Sequence, residues 1–229
     1  MKYTSYFFIF ILLVAGCSDS ELEPDQSIYG YEYFPLATGT YQVFEVTQTD
    51  YLNTGEVVTS DFQIRHEIAE SFVSDEQETF IINRFTRANE NDDWEYLNTW
   101  QSRRTEFNAI VSEENLSLLK LVFPIEAGVS WNGNSFNSLE EDTYVLDSLS
   151  FPFRLNDQGF ENTITVIQAD NQDFIVSLDT RFEIYAKDIG LVYKEIVNLN
   201  YCADENCLGQ EIVETGIEYR QALLEYGAL

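Results

Sequence analysis

Tyr41-Gln42-Val43-Phe44-Glu45-Val46-Thr47-Gln48-Thr49, the turn triplet Asn53-Thr54-Gly55, and the long run over residues 57–73 decide the fold of this 229-residue chain. In the second arm Phe62, Ile64, His66 and Ile68 fall on one side of an extended backbone, and Asp61, Gln63, Arg65 and Glu67 on the other. Side chains of a strand alternate between faces, so this pattern describes a sheet with one apolar and one wet side. Two such arms around a glycine-containing turn read as a β-hairpin.

Outward from the hairpin the same composition recurs. Val, Ile, Thr, Tyr and Phe cluster in residues 79–87, 94–103, 106–111, 117–123, 144–149, 163–168, 174–178, 181–185, 190–201 and 211–224. Turn-forming residues separate them, at Asn89-Glu90-Asn91-Asp92-Asp93, Gly128, Asn132-Gly133-Asn134 and Asn156-Asp157-Gln158-Gly159. No stretch carries a clean helical stripe except, weakly, the last. The expectation is an all-β protein of about 10–12 antiparallel strands with little helix, in a single sheet curled into a half-barrel or barrel-like form, because a long flat sheet leaves its edges unprotected. No repeat of fixed period marks a solenoid or propeller.

Ahead of the strands stands a different kind of sequence. Lys2 precedes an apolar run over residues 6–14, followed by Ala15, Gly16 and Cys17. At roughly ten residues the run is shorter than the ~20 that span a bilayer, and the order of charge, apolar centre and small residues is that of a removable signal. Leu13-Val14-Ala15-Gly16-Cys17 resembles a bacterial lipobox. That resemblance implies that Cys17 becomes the first mature residue and carries a diacylglycerol, with attachment through two or more acyl chains at ~0.8 kcal/mol per buried CH₂. Ser18 in place of an aspartate implies the outer membrane, and the acidic run Ser18-Asp19-Ser20-Glu21-Leu22-Glu23-Pro24-Asp25 is similar to the surface-export signal of Bacteroidota-type lipoproteins. The chain therefore divides into a signal peptide over residues 1–16, a lipidated cysteine with an acidic tether over 17–30, and one β-rich domain over 31–229.

Loss of residues 1–16 would leave 213 residues with 11 basic and 40 acidic side chains, a formal charge of −29. Such a surface repels nucleic acid and anionic headgroups and suits a soluble exposed domain. Cys202 and Cys207 remain as a pair in an oxidising compartment, separated by four residues between two strand-like runs. They read as a disulfide closing a hairpin tip, contributing roughly 2 kcal/mol by the chain-entropy estimate. Four intervening residues differ from the two of a redox motif, and no second ligand pair completes a zinc site.

Catalytic residue types are sparse. His66 is the only histidine, it lies on the apolar face of a strand, and no Gly-x-Ser-x-Gly elbow supplies a nucleophile for it. No glycine-rich phosphate loop occurs. Carboxylates abound, yet none is singled out as the pair that glycoside hydrolysis needs. Residues 89–93 and Glu140-Glu141-Asp142 could offer oxygen ligands to Ca²⁺, without the spacing of a known loop. Alternation places Trp94, Tyr96, Asn98 and Trp100 on one face of a strand, where Trp94, Tyr96 and Trp100 would form either a glycan platform or part of the core.

Several phrases resemble a set of small Bacteroidota-type outer-membrane lipoproteins to which no activity is tied: Tyr33-Phe34-Pro35-Leu36 with Gly39; Phe123-Pro124 with Gly128 and Trp131; Tyr185-Ala186-Lys187-Asp188-Ile189-Gly190-Leu191-Val192-Tyr193-Lys194-Glu195; and the cysteine pair with Tyr219 and Glu225-Tyr226-Gly227. The resemblance implies an envelope protein and names no cofactor. Expected first is a non-enzymatic interaction or assembly module joined to the membrane by its lipid, with an envelope protein as partner. The alternative is a binding protein for an acyl chain or glycan on a concave aromatic side, as in half-barrel lipid carriers, and a carboxylate-based hydrolase is the distant third.

Overall fold

The computed structural model describes residues 28–229. The lipobox, Cys17 and the acidic run lie outside them. Twelve strands form one antiparallel sheet that curls nearly into a barrel: β1 (Thr40–Tyr51), β2 (Val57–Ser74), β3 (Gln77–Arg87), β4 (Glu95–Arg104), β5 (Asn108–Glu113), β6 (Leu116–Val122), β7 (Ser130–Asn132), β8 (Thr143–Leu155), β9 (Gln158–Asn171), β10 (Ser177–Ala186), β11 (Gly190–Tyr201) and β12 (Val213–Ala228). Each strand from β1 to β6 pairs with the next, as does each from β7 to β12, and β12 pairs with β1. The all-β expectation holds, and the hairpin that opened the reading is β1–β2, in register from Thr40 opposite Ile68 to Tyr51 opposite Val57.

The edges of this sheet, β6 and β7, meet without a full ladder. Leu119 donates its N–H to the carbonyl of Gly133 at 2.8 Å, Trp131 Nε1 donates to the carbonyl of Leu119 at 2.9 Å, and Asn137 Nδ2 donates to that of Ser117 at 3.0 Å. These bonds occupy edge groups that would otherwise template pairing with another chain. Strand β7 has only three residues and escapes a pattern reading. Residues 174–178 and 181–185, which read as two strands, contain one: polar Asp179 and Thr180 stay in register on both sides, with β9 and with β11, and residues 174–176 belong to the preceding turn.

Seen from the ladder, Phe62, Ile64, His66 and Ile68 of β2 face the barrel interior with Phe44 and Val46 of β1, which are fully buried. On the opposite wall the interior face carries Glu183, Tyr185, Ile164 and Val166. The outer face of β10–β11 is covered too. The tip of the β8–β9 hairpin folds onto it, setting Phe153 5.7 Å from Tyr193 and holding Leu224's carbonyl through Gln158 Nε2 at 3.1 Å.

One end of the barrel is crossed by the segment that leads into β1. Tyr29 stacks on Tyr31 at 5.2 Å, a 3-10 turn spans Tyr31–Tyr33, and Arg104 Nη1 donates to the carbonyls of Tyr31 and Phe34 at 3.1 and 3.0 Å. Across the opening, Asp188 donates its N–H to the carbonyl of Glu32 at 2.7 Å. This strap ties the β4–β5 turn to the β10–β11 turn, with Tyr33 and Phe34 buried beneath it. Among the described residues no helix is long and apolar enough to cross a membrane.

Candidate functional site

Beneath the strap lies a cavity of about 380 Å³ inside the barrel. Its walls are apolar, with Leu36 and Leu191 near the mouth and Ile68, Ile82, Trp100 and Val111 further in. Tyr41, Asp188 and Tyr226 stand at the opening. Deeper, the lining becomes charged: Glu113, Lys120, Glu183 and Lys194.

The charged group is organised around Lys120, which projects inward at a bulge in β6 with a side chain only 6% exposed. Its Nζ lies 2.6 Å from Glu183 Oε1 and 3.4 Å from Glu113 Oε1. The other oxygen of Glu183 accepts a hydrogen bond from the Tyr185 hydroxyl. Burial alone would push the Glu183 carboxyl up, but Lys120 and Lys194, with those hydrogen bonds, pull it down to about 2. Glu113 is lowered as well, the nearby ammonium groups outweighing its burial. Burial works against the charge on Lys120, yet its two carboxylates raise its pKa above the ordinary lysine value. The cluster is therefore ionised, with its charges matched across strands as buried ions require.

Lys194 joins this network through charge alone. It pairs in register with Glu183 on one side and Gln221 on the other, but its Nζ is 3.7 Å from Glu183 Oε1, beyond hydrogen-bond reach. Gln221 is 4% exposed; its carbonyl oxygen accepts from the Tyr219 hydroxyl at 2.8 Å, and its Nε2 has no partner among the described residues. His66 completes the inner lining. Arg84 Nε donates to His66 Nε2 at 3.0 Å, which leaves the ring proton on Nδ1. Burial, with the charges of Arg84 and Lys194, lowers the His66 pKa to about 3, so the ring is neutral. Arg84 itself lies 3.6 Å over the Trp100 ring and donates to Asn98 Oδ1 at 3.1 Å.

The aromatic trio read from alternation is divided by a bulge. Phe85 pairs with Tyr96 but Arg84 with Asn98, so Leu97 is an extra residue that reverses the alternation within β4. Trp100 and Asn98 consequently face the interior with Arg84, while Tyr96 packs edge-on to Phe85 on the outside and is 62% exposed. Trp94 precedes β4 and lies under the Arg87 guanidinium, 4.3 Å from its ring centre. Of the three, only Trp100 lines the cavity. Cys202 and Cys207 form a disulfide with Cα atoms 5.7 Å apart, at the barrel end away from the strap. Of the acidic segments considered for Ca²⁺, Asp142 is engaged by Arg181 through two hydrogen bonds of 2.8 and 3.0 Å, and Asn89 bonds Asp92.

Sequence reasoning did not single out Lys120, Glu183, Lys194 or Gln221. The phrases Tyr33-Phe34-Pro35-Leu36, Tyr185 through Glu195 and Glu225-Tyr226-Gly227 nevertheless converge here, as strap, as β10–β11 hairpin and as the end of β12. Their shared position around one opening was the available signal.

No protein-family model matches the chain, and no curated protein matches it in sequence. Two solved structures are similar in shape at 11% identity: one assigned as an exported protein with a YmcC-like fold from Bacteroides fragilis, with a TM-score of 0.45, and one assigned as a lipoprotein from Parabacteroides distasonis, with a TM-score of 0.41. Each alignment covers 85% of this chain and 98% of the other.

Proposed function

We propose that this chain is a non-enzymatic, lipid-anchored envelope protein that binds the apolar part of a small amphipathic molecule inside its barrel. The observation that carries the reading is the open cavity of about 380 Å³, apolar at its walls and polar at its base, within the size range of small-molecule sites. A filled barrel would have left only the outer surface for an assembly role, the reading that the sequence ranked first. Glu113 and Glu183 support a binding rather than a hydrolytic site. Both are held ionised around Lys120, and neither retains the proton a general acid must deliver.

Topology supports membrane-proximal loading. The chain enters the domain at the strap, the same end as the cavity mouth, and Cys17 precedes Ile28 by eleven residues. At 3.3–3.6 Å per extended residue, a lipid on Cys17 would keep the mouth within about 40 Å of the anchoring membrane, here assigned to the outer membrane and its exposed surface.

An assembly role would draw instead on the far end, where Phe174, Ile175, Val176, Leu208 and Ile212 are exposed beside the disulfide loop. The test is native mass spectrometry of a Cys17→Ser form purified without detergent, followed by titration with medium-chain amphiphiles and a glycan array. Copurification or saturable binding of an acyl compound is the expected result. Absence of both, with an envelope protein captured through the far end, would overturn the binding reading in favour of assembly.

A further inference from the structure

The base of the cavity offers hydrogen-bond donors without acceptors. Lys120 uses both carboxylates within reach, and the two oxygens of Glu183 are taken by Lys120 and Tyr185. Lys194, 18% exposed and lining the cavity, is left with no hydrogen-bonded acceptor among the described residues. Its cross-strand neighbour Gln221 has an unpartnered Nε2, and His66 carries its proton on Nδ1 because Arg84 occupies the other nitrogen. Arg84, Lys120 and Lys194 face Glu113 and Glu183 inside, with Glu114 as a third carboxylate acting on Arg84. Glu114, the next acidic group, is exposed and bonds Asn98 and Trp100 at the rim of the cluster. An ammonium without a hydrogen-bonded acceptor beside an orphaned amide N–H is costly to bury unless an acceptor completes both.

We propose that the ligand is a carboxylate on an unbranched apolar chain, bound head first, with its oxygens on Lys194 Nζ and the Gln221 side-chain amide and its chain along Ile68, Ile82 and Val111 toward the mouth. An ammonium without a hydrogen-bonded acceptor and an orphaned amide N–H match the two oxygens of one carboxylate. A glycan would bring many hydroxyls to walls that carry few polar partners. The proposal rests on the binding function given above and names the ligand class of that same site.

Its test is calorimetric titration of the Cys17→Ser protein with decanoate and with decan-1-ol, repeated on a Lys194→Met variant. The expected result is decanoate at least tenfold tighter than the alcohol, a preference abolished in Lys194→Met while alcohol binding survives. Alcohol and carboxylate bound equally would overturn the head-first anion and leave the apolar cavity standing. Binding of neither would overturn the cavity reading itself. A preference that persists in Lys194→Met would place the carboxylate elsewhere and refute the assignment. Should the variant fail to fold, titration of carboxyl-labelled decanoate by carbon-13 NMR on the unsubstituted protein still decides. If the ammonium groups outweigh burial there as they do at Glu183, the bound carboxyl titrates below its value in water, and an unchanged or raised value refutes the proposal.

Discussion

Glu183 is completely buried and still ionised, and this single carboxylate explains why so polar a group survives inside a small barrel. Lys120 and Tyr185 satisfy its two oxygens, so the desolvation cost is offset by hydrogen bonds as well as by charge. His66 solves the same problem by shedding its proton. Its folded-state pKa of about 3 lies below the ordinary 6.5, so on acidification the unfolded chain takes up the proton first. Stability is therefore undiminished above about pH 6.5 and is lost progressively as pH falls toward 3. Glu183 loses its contribution only below its ordinary 4.5, so the interval from pH 7 to 5 isolates the histidine. Urea unfolding across that interval should show about 1–2 kcal/mol of lost stability in the parent protein. In His66→Gln, which keeps an acceptor for Arg84 but cannot titrate, the slope should vanish. An identical slope in both would mean that the loss comes from another group.

At the level of elements, alternation carried the reading wherever a strand was regular and failed wherever a bulge intervened. β2 kept Phe62, Ile64, His66 and Ile68 on the buried side as read, because no extra residue interrupts its pairing with β1. β4 did not, because Leu97 shifts Tyr96 outward while Trp100 stays inside, and a residue count cannot reveal which strand takes the additional residue. The start of β12 displays a constraint of a different kind. Gly216 has φ +148° and pairs with both Leu199 and Tyr51; a Cβ there would lie 2.3 Å from the carbonyl oxygen of Asn198. Gly216→Ala should therefore destabilise the protein by about 2 kcal/mol or more through β11–β12 separation. The check is hydrogen exchange, with protection lost first at the β11–β12 ladder near Asn198. A variant of unchanged stability and exchange would show that β11 can yield at no cost.

For the whole molecule, the formal charge of −28 opposes compactness, while the cations kept inside the curled sheet are few and specific. Self-repulsion between exposed carboxylates is long-ranged and screened by salt, whereas the buried Lys120 group is shielded from it. Thermal unfolding of the Cys17→Ser protein should shift upward by several degrees between 20 mM and 500 mM sodium chloride. A fall over that range would indicate that surface ion pairs such as Arg65 with Glu67 outweigh net repulsion. The division of labour between sequence and tertiary structure follows from range. Strand identity, the antiparallel single sheet and the pairing of Cys202 with Cys207 were legible in local pattern, because side-chain alternation and short loop closure depend on neighbours in the chain. That β12 closes on β1, that Lys120 meets Glu183 across 63 residues, and that the barrel keeps an open interior were decided only by folding. Each depends on the register and curvature accumulated over twelve strands, and a shift of one residue at any bulge would turn those charges to the opposite face.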